Sequence, residues 1–129
     1  MALPTDANID FLVCEAVRQN ADGKFDLSGY FPTEEVRLDP AAQLPVALNL
    51  TFVVVLKDGD GMFRPTVRIA DPLGNELHAF EVPEFQKLPG QAHVMMMPVE
   101  RIPIARSGAY AIAFEISGQT YRRTVRIFQ

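Results

Sequence analysis

The stretch that decides the fold is AYAIAFEISGQTYRRTVRIF, residues 109–128. It contains two segments of strand-forming residues on either side of Gly118-Gln119. Glycine at the first position of a two-residue loop favours a type II′ turn, in which Ser117 faces Thr120. That register places the large apolar residues on one face, namely Tyr110, Ile112, Ile116, Tyr121, Val125 and Ile127. The stretch is therefore predicted to be a β-hairpin in a sheet with one buried face.

The other face of this hairpin carries small and charged side chains. Glu115 is predicted to lie opposite Arg122, and Arg126 shares their face. The surface is expected to be flat because its apolar side chains are small, at Ala109, Ala111 and Ala113. Flat apolar strands invite another layer, either a second subunit or a loop of the same chain. Both remain open from the sequence, and the hypothesis carried forward is a homodimer interface that includes Arg122 and Arg126.

The N-terminal residues predict a second hairpin. Residues 9–19 are apolar on both faces, as in a strand that is covered on both sides. Asn20-Ala21-Asp22-Gly23 is a turn, because Asn and Gly tolerate positive φ and Asp can accept a bond from nearby backbone. Residues 25–31 then alternate between apolar and polar and are predicted to pair with the preceding strand.

The middle of the chain predicts further strands. Residues 48–57 alternate at period two and are rich in β-branched side chains, which indicates a long strand. Residues 58–61 (DGDG) form a turn, and residues 63–69 return as a strand in which Pro65 favours an edge position. Residues 77–82 and 92–99 are two more strands, residues 83–90 form a loop, and residues 34–38 form either a short strand or one helical turn.

About eight short strands separated by turn residues, with no long helical period, predict an all-β fold. An antiparallel β-sandwich is the expected architecture, with a barrel as the alternative. The length of 129 residues suits one domain spanning residues 1–129.

Composition limits the partners and the compartment. The net charge of −4 disfavours nucleic acid as a partner, and no apolar run approaches the roughly 20 residues that span a bilayer. Cys14 is the only cysteine, so no intramolecular disulfide forms and a reducing compartment is expected. The first residues lack the basic and apolar regions of a signal peptide, so the expected location is the cytoplasm.

Two resemblances follow from these motifs. The segment RSGAYAI, residues 106–112, resembles the immunoglobulin pattern that forms a tyrosine corner, although Ile112 stands in the place of the second cysteine. It implies an immunoglobulin-like sandwich without a disulfide. The segments FLVCEA, residues 11–16, and GKFDLSGYF, residues 23–31, resemble a family of uncharacterised bacterial proteins of this length. That resemblance implies no activity and no catalytic residue.

The chemistry-bearing residues do not form a known catalytic motif. The DGDG segment resembles the start of a calcium loop but lacks the later ligands, so a plain turn is expected. His78 and His93, with Glu76 or Glu81, lack the short spacing of zinc motifs. Cys14 is expected to be an inert core thiol. We therefore expect a protein that is not an enzyme and that has neither cofactor nor bound metal.

Two further sets of residues are candidates for binding. Met95, Met96 and Met97 place thioethers on both faces of one strand, so a partner surface that includes Met95 and Met97 is one reading and core filling is the other. Three aromatic residues near predicted strand ends, Tyr30, Phe31 and Phe85, could bind a small molecule or a carbohydrate. The preferred function is a non-catalytic interaction or accessory module that self-associates, and ligand binding is the alternative.

Overall fold

The fold is all-β, as predicted: a computed structural model describes residues 1–129 and contains twelve strands and no α-helix. Neither of its two short 3-10 turns, Asp6–Asn8 and Pro32–Glu34, is long and apolar enough to cross a membrane. The expected number of about eight strands is wrong, because breaks at Glu15 and at Arg64-Pro65 each divide a predicted strand in two and because Glu35–Arg37 and Phe85–Lys87 form two more. The strands are β1 Ile9–Cys14, β2 Ala16–Gln19, β3 Phe25–Ser28, β4 Glu35–Arg37, β5 Val46–Leu56, β6 Gly61–Phe63, β7 Thr66–Ala70, β8 Glu76–Glu81, β9 Phe85–Lys87, β10 His93–Ile104, β11 Gly108–Ile116 and β12 Gln119–Phe128.

Two large sheets enclose the core. The three-stranded sheet has the order β1-β5-β10, the five-stranded sheet has the order β4-β12-β11-β7-β8, and β2–β3 and β6–β9 form two separate ribbons. Their alternate residues meet in one core of 24 buried side chains, which excludes the outward-facing residues of both sheets. The expectation of purely antiparallel pairing is wrong at one edge, because β4 runs parallel to β12.

The β11–β12 hairpin exists as predicted, but its register differs by two residues. Ile116 pairs with Gln119, Glu115 with Thr120 and Ala113 with Arg122, so the expected pairing of Glu115 with Arg122 is wrong. The loop is Ser117-Gly118, whose φ angles of 49° and 87° are both positive, as a type I′ turn requires. A shift by two keeps every residue on its own face, so the predicted apolar face is buried.

The strand that follows β5 in the sequence was expected to return beside it, but it does not pair with β5. Residues 61–70 form two strands, β6 and β7, and Pro65 lies in the break between them because it has no N–H to give to a ladder. β7 lies between β11 and β8, inside the five-stranded sheet, so the predicted edge position is wrong. The chain therefore leaves the three-stranded sheet after β5, passes through β6 of the β6–β9 ribbon, and enters the five-stranded sheet at β7.

Three other segments correct or complete the pattern. Residues 83–90, expected to be a loop, contain β9, which pairs with β6. Of the two structures considered for residues 34–38, the short strand is present as β4, and the preceding 3-10 turn reaches only Glu34. β10 continues five residues beyond the predicted end, past a bulge between Val99 and Ile102.

The predicted tyrosine corner is present. The Tyr110 hydroxyl donates to the carbonyl oxygen of Arg106 at 2.7 Å, and the ring is fully buried. Tyr121 on the neighbouring strand is equally buried, and its hydroxyl donates to the Pro4 carbonyl at 2.6 Å. Each buried tyrosine ring thus has a hydrogen-bond partner for its hydroxyl. These two bonds fix β11 to its preceding loop and β12 to the N-terminal segment.

Candidate functional site

The outer face of the five-stranded sheet has a column of alanines on its central strand, β11. Ala109 and Ala111 are exposed and Ala113 is half-buried, so no loop of the chain covers this column. The pairing of β11 with β7 sets Ala70 beside Ala111, and the pairing of β7 with β8 sets Ala79 beside Arg68. Alanine side chains lie low on a pleated surface, so the backbone of this sheet is open to close approach.

Charged side chains frame the alanine column. Arg126 lies 3.5 Å from the Glu35 carboxylate, and Arg68 lies 3.7 Å from that of Glu76. Arg122 has no carboxylate within 4 Å, unlike Arg68 and Arg126, and the guanidinium of Arg37 on the edge strand β4 lies 4.6 Å from the ring centre of Phe128. The outer face of the sheet therefore presents two exposed ion pairs, a guanidinium stacked on Phe128, and the unpaired guanidinium of Arg122.

Two shallow depressions lie at the ends of the alanine column. One of about 160 Å³ is lined by Ala113 and by polar residues, namely Thr66, Arg68, Glu115, Thr120 and Arg122. The other, of about 340 Å³, is lined by Ala109 with Ser107, Gly108, Arg126, Ile127 and Phe128. Ala109, Ala113, Arg122 and Arg126 of the predicted interface therefore share one continuous surface.

The two methionines assigned to that interface are not on it. Met95 and Met97 belong to the core of the three-stranded sheet and are each 3% exposed, because they pair with the inward-facing Val54 and Phe52. The outward-facing thioether of this strand is that of Met96, which is 40% exposed. Of the two readings of these methionines, core filling therefore holds for Met95 and Met97.

The three aromatic residues of the ligand hypothesis do not converge. Tyr30 is 48% exposed, whereas Phe31 packs against the core and its N–H donates to the Val13 carbonyl. Phe85 stacks on His93 with ring centres 3.8 Å apart. Val13 pairs with Phe52 and His93 with Leu56, so the two places are four residues, about 13 Å, apart along β5.

The outer face of the three-stranded sheet is a second candidate surface, and the sequence reasoning did not select it. Leu12, Val53 and Met96 lie side by side across it, and Asp10, Val55 and Val94 form the next row. Val53 is 4% exposed yet is not part of the main core. The apolar residues on both faces of residues 9–19 predict a strand that is covered on both sides, and the structure agrees at Cys14, which is fully buried, but leaves Leu12 half-buried.

A groove opens at one end of this face, with a volume of about 500 Å³. Its floor is residues 49–51 of β5, one wall is residues 15–17 at the junction of β1 and β2, and the other is Met96 with residues 98–100 of β10. Half of the lining is apolar. Glu15 and Glu100 lie on opposite walls, and neither carboxylate has a cationic partner within 4 Å or a hydrogen bond from the chain.

The DGDG segment, considered as a calcium loop, binds the N-terminal residues instead. The Asp58 carboxylate accepts hydrogen bonds from the Thr5 N–H at 2.9 Å and the Asn8 amide at 3.0 Å. Hydrogen bonding from the Thr5 side chain, then from the Asn8 side chain and the Thr5 N–H, holds the pKa of Asp58 below its usual value. The Asp60 carboxylate accepts from the Ala2 N–H at 2.7 Å. The carboxylates of Asp58 and Asp60 thus accept hydrogen bonds from the N-terminal segment, and this structural role explains why both aspartates are present in the turn.

The remaining titratable candidates lie apart. His93 is stacked on Phe85, whereas His78 Nε2 lies 3.5 Å from the Arg101 carbonyl oxygen. No group of three His, Cys, Asp or Glu side chains could hold a metal ion. Cys14 is buried, burial raises the pKa of its thiol, and its Sγ donates to the Thr51 carbonyl at 3.7 Å. This environment disfavours the reactive thiolate.

Comparison with known proteins places the chain in a family. No curated protein matches the sequence. The model of DUF6941, described as a family of unknown function, matches residues 9–125, from the first residue of β1 to the middle of β12. The match thus includes both large sheets and both ribbons, and the chain belongs to this family of unknown function.

Proposed function

We propose that this protein is a non-catalytic interaction module that forms a homodimer through the outer face of its five-stranded sheet. One observation carries the proposal: the alanine column of β11 is exposed at the centre of the widest sheet and nothing in the chain covers it. Small side chains make such a face flat, and a second flat face could approach it closely.

The area of this face fits a weak but specific contact. Each strand residue covers about 16 Å², given a rise of about 3.4 Å and a strand spacing of about 4.8 Å. The five strands therefore outline about 500 Å², and two such faces would bury about 1,000 Å² in total. That total lies at the lower limit for specific interfaces, so we expect a dimer that dissociates at micromolar concentration.

The charges on the face are compatible with its own copy. Arg122 and Glu115 both face outward, and neither has an ion-pair partner within the chain. In a two-fold contact every pair of facing residues occurs twice, so Arg122 of one protomer could pair with Glu115 of the other, and Glu115 of the first with Arg122 of the second. Arg68 and Arg126 are already neutralised by their own glutamates.

Replacing Ala111 tests the proposal. Ala111→Arg places a long charged side chain at the centre of the contact, so the dimer should become a monomer with an unchanged β spectrum. Ala47→Arg is the matched control, because Ala47 is an exposed strand alanine on the other sheet. Light-scattering chromatography over a concentration series gives the mass. A wild-type protein that is monomeric at millimolar concentration would refute the proposal.

A charge exchange tests the orientation of the contact and does not depend on a bulky substitution. Arg122→Glu alone should weaken the dimer by repulsion between like charges, and Arg122→Glu with Glu115→Arg should restore it. If the double variant is as weak as the single one, Arg122 does not meet Glu115 and the pairing is wrong. Both side chains are at the surface, so both variants should fold.

The ligand-binding alternative is weaker, since Tyr30 and Phe85 lie in different parts of the surface and Phe31 packs on the core. We also propose a relationship to the immunoglobulin-like sandwiches, supported by the tyrosine corner at Tyr110. A reducing compartment such as the cytoplasm suits the lone buried Cys14. No catalytic role is proposed for any residue.

A further inference from the structure

The groove beside the β2–β3 ribbon combines features of a binding site that the dimer does not use. Its volume of about 500 Å³ lies within the range of small-ligand and peptide sites. The apolar part of its wall includes Val17, Met96 and Pro98, and it continues into the aliphatic outer face of the three-stranded sheet. Apolar surface of this kind, open to water, is typical of a place where a partner binds.

Both acidic residues of the groove lie at irregular points of the backbone. Glu100 belongs to the bulge of β10, where Arg101 adopts φ 56°, an uncommon conformation for a residue with a side chain. The side-chain oxygen of Asn49 accepts a hydrogen bond from the Arg101 N–H at 2.8 Å and so supports the bulge. Bulges of this kind re-aim a side chain and are over-represented beside binding sites.

Glu15 lies at the corresponding irregularity on the opposite wall. Glu15 is the single residue that separates β1 from β2. Its N–H donates to the carbonyl oxygens of both Ser28 and Gly29, at 3.0 and 3.1 Å. A Cβ on Gly29 would stand 2.5 Å from the Glu15 side chain, and Gly29 has φ +62°. Glycine at this position therefore leaves room for the Glu15 side chain.

From these observations we propose that the groove binds an extended segment of a partner protein that carries arginine or lysine between apolar residues. The two glutamates would pair with the basic side chains, and the apolar wall would take the flanking residues. An extended segment suits a groove that is open to water and bordered by strands on both sides. The Asn49 amide N–H, which makes no hydrogen bond within the chain, could donate to a carbonyl of the segment.

A capped five-residue peptide tests the class of ligand, with arginine at its second and fourth positions and valine at the others. Titration calorimetry at low ionic strength should give saturable one-to-one binding, weakened by added salt. A peptide with glutamate in place of arginine should bind at least tenfold more weakly. Equal binding of the two peptides, or no binding of either, would overturn the proposal. A simple alkylamine that binds as tightly as the peptide would overturn the assignment to a protein segment.

Variants of the two walls test the site. Each exposed ion pair is worth a factor of about 2 to 5 in affinity, so Glu15→Gln with Glu100→Gln should weaken binding about tenfold. Glu84→Gln, which changes an exposed glutamate outside both the groove and the proposed dimer face, is the matched control and should bind as the wild type does. The methyl signal of Met96 should shift in an NMR titration, whereas that of Met62, exposed outside the groove, should not. A shift at Met62 without one at Met96 would place the peptide elsewhere and refute the site.

Discussion

The outer face of the five-stranded sheet carries alanine, threonine, arginine and glutamate, whereas that of the three-stranded sheet carries leucine, valine and methionine. Both sheets bury their inner faces in the same core. Strict alternation in β11 marks a strand with one buried face, whereas residues 11–14 of β1 and 52–56 of β5 are apolar on both faces. Loss of alternation therefore marks a face on which aliphatic neighbours bury one another, with Val53 only 4% exposed, and on which Met96 remains open to water.

The difference predicts two modes of association. A wide face with small side chains and balanced charge suits a second copy of itself, with little apolar area to bury. A narrow aliphatic face with an acidic groove suits a shorter and chemically different partner. These are separate proposals, because the alanine column and the groove belong to different sheets and share no residue.

An aspartate introduced on each face should produce the largest difference in the free energy of unfolding. Val53→Asp places a carboxylate among Leu12 and Met96 on a nearly enclosed site, so the free energy of unfolding should fall by about 3 kcal/mol. Ala111→Asp exposes its carboxylate to water and should cost less than about 1 kcal/mol in the monomer. Urea denaturation at low protein concentration measures both. Equal losses would mean that the two faces do not differ in burial.

Much of this contrast could be predicted from the sequence, and the failures have physical causes. The faces of β11 and β12 were assigned correctly because a register error of two residues keeps each side chain on its own side. The turn was misplaced because Ser117 tolerates a positive φ here, which its residue type does not reveal. The strand containing Pro65 was placed beside β5 because sequence neighbours usually pair, whereas this chain crosses to the other sheet.

The candidate surfaces were less predictable than the fold. The alanine column follows from period two alone, so Ala109, Ala111 and Ala113 could be assigned to one face. The alternation places Met95 and Met97 on one face of β10 and Met96 on the other, but the sequence does not show which of these faces points into the core. The groove joins residues near positions 15, 50 and 100, and no local pattern brings these together.

The tyrosine corner at Tyr110, on the strand that carries the alanine column, should give a smaller change in stability. Tyr110→Phe removes the hydroxyl that donates to the Arg106 carbonyl, so the free energy of unfolding should fall by about 1 kcal/mol. Tyr121→Phe, which removes the bond to Pro4 on the neighbouring strand, provides the comparison. Thermal and urea unfolding would measure both variants. An unchanged midpoint for Tyr110→Phe would mean that the corner contributes nothing to the stability of β11.

The smallest effect concerns pH and the edge of the three-stranded sheet. Burial, with a lesser contribution from the nearby Lys87 ammonium, lowers the pKa of His93 below its ordinary value of 6.5. The unfolded chain therefore binds a proton below pH 6.5 that the folded protein resists, so stability should be complete above pH 6.5 and should fall as the pH drops towards the lower folded pKa.

His93→Phe tests this expectation, because an aromatic ring at position 93 can still stack on Phe85 but cannot bind a proton. Urea midpoints from pH 7.5 to 5 should fall less steeply for the variant than for the wild type. His78→Phe serves as the control on the five-stranded sheet, since it removes the other histidine and leaves His93 in place. Parallel curves for the wild type and His93→Phe would mean that the acid sensitivity comes from the carboxylates, and the proposed link between His93 and this edge would be wrong.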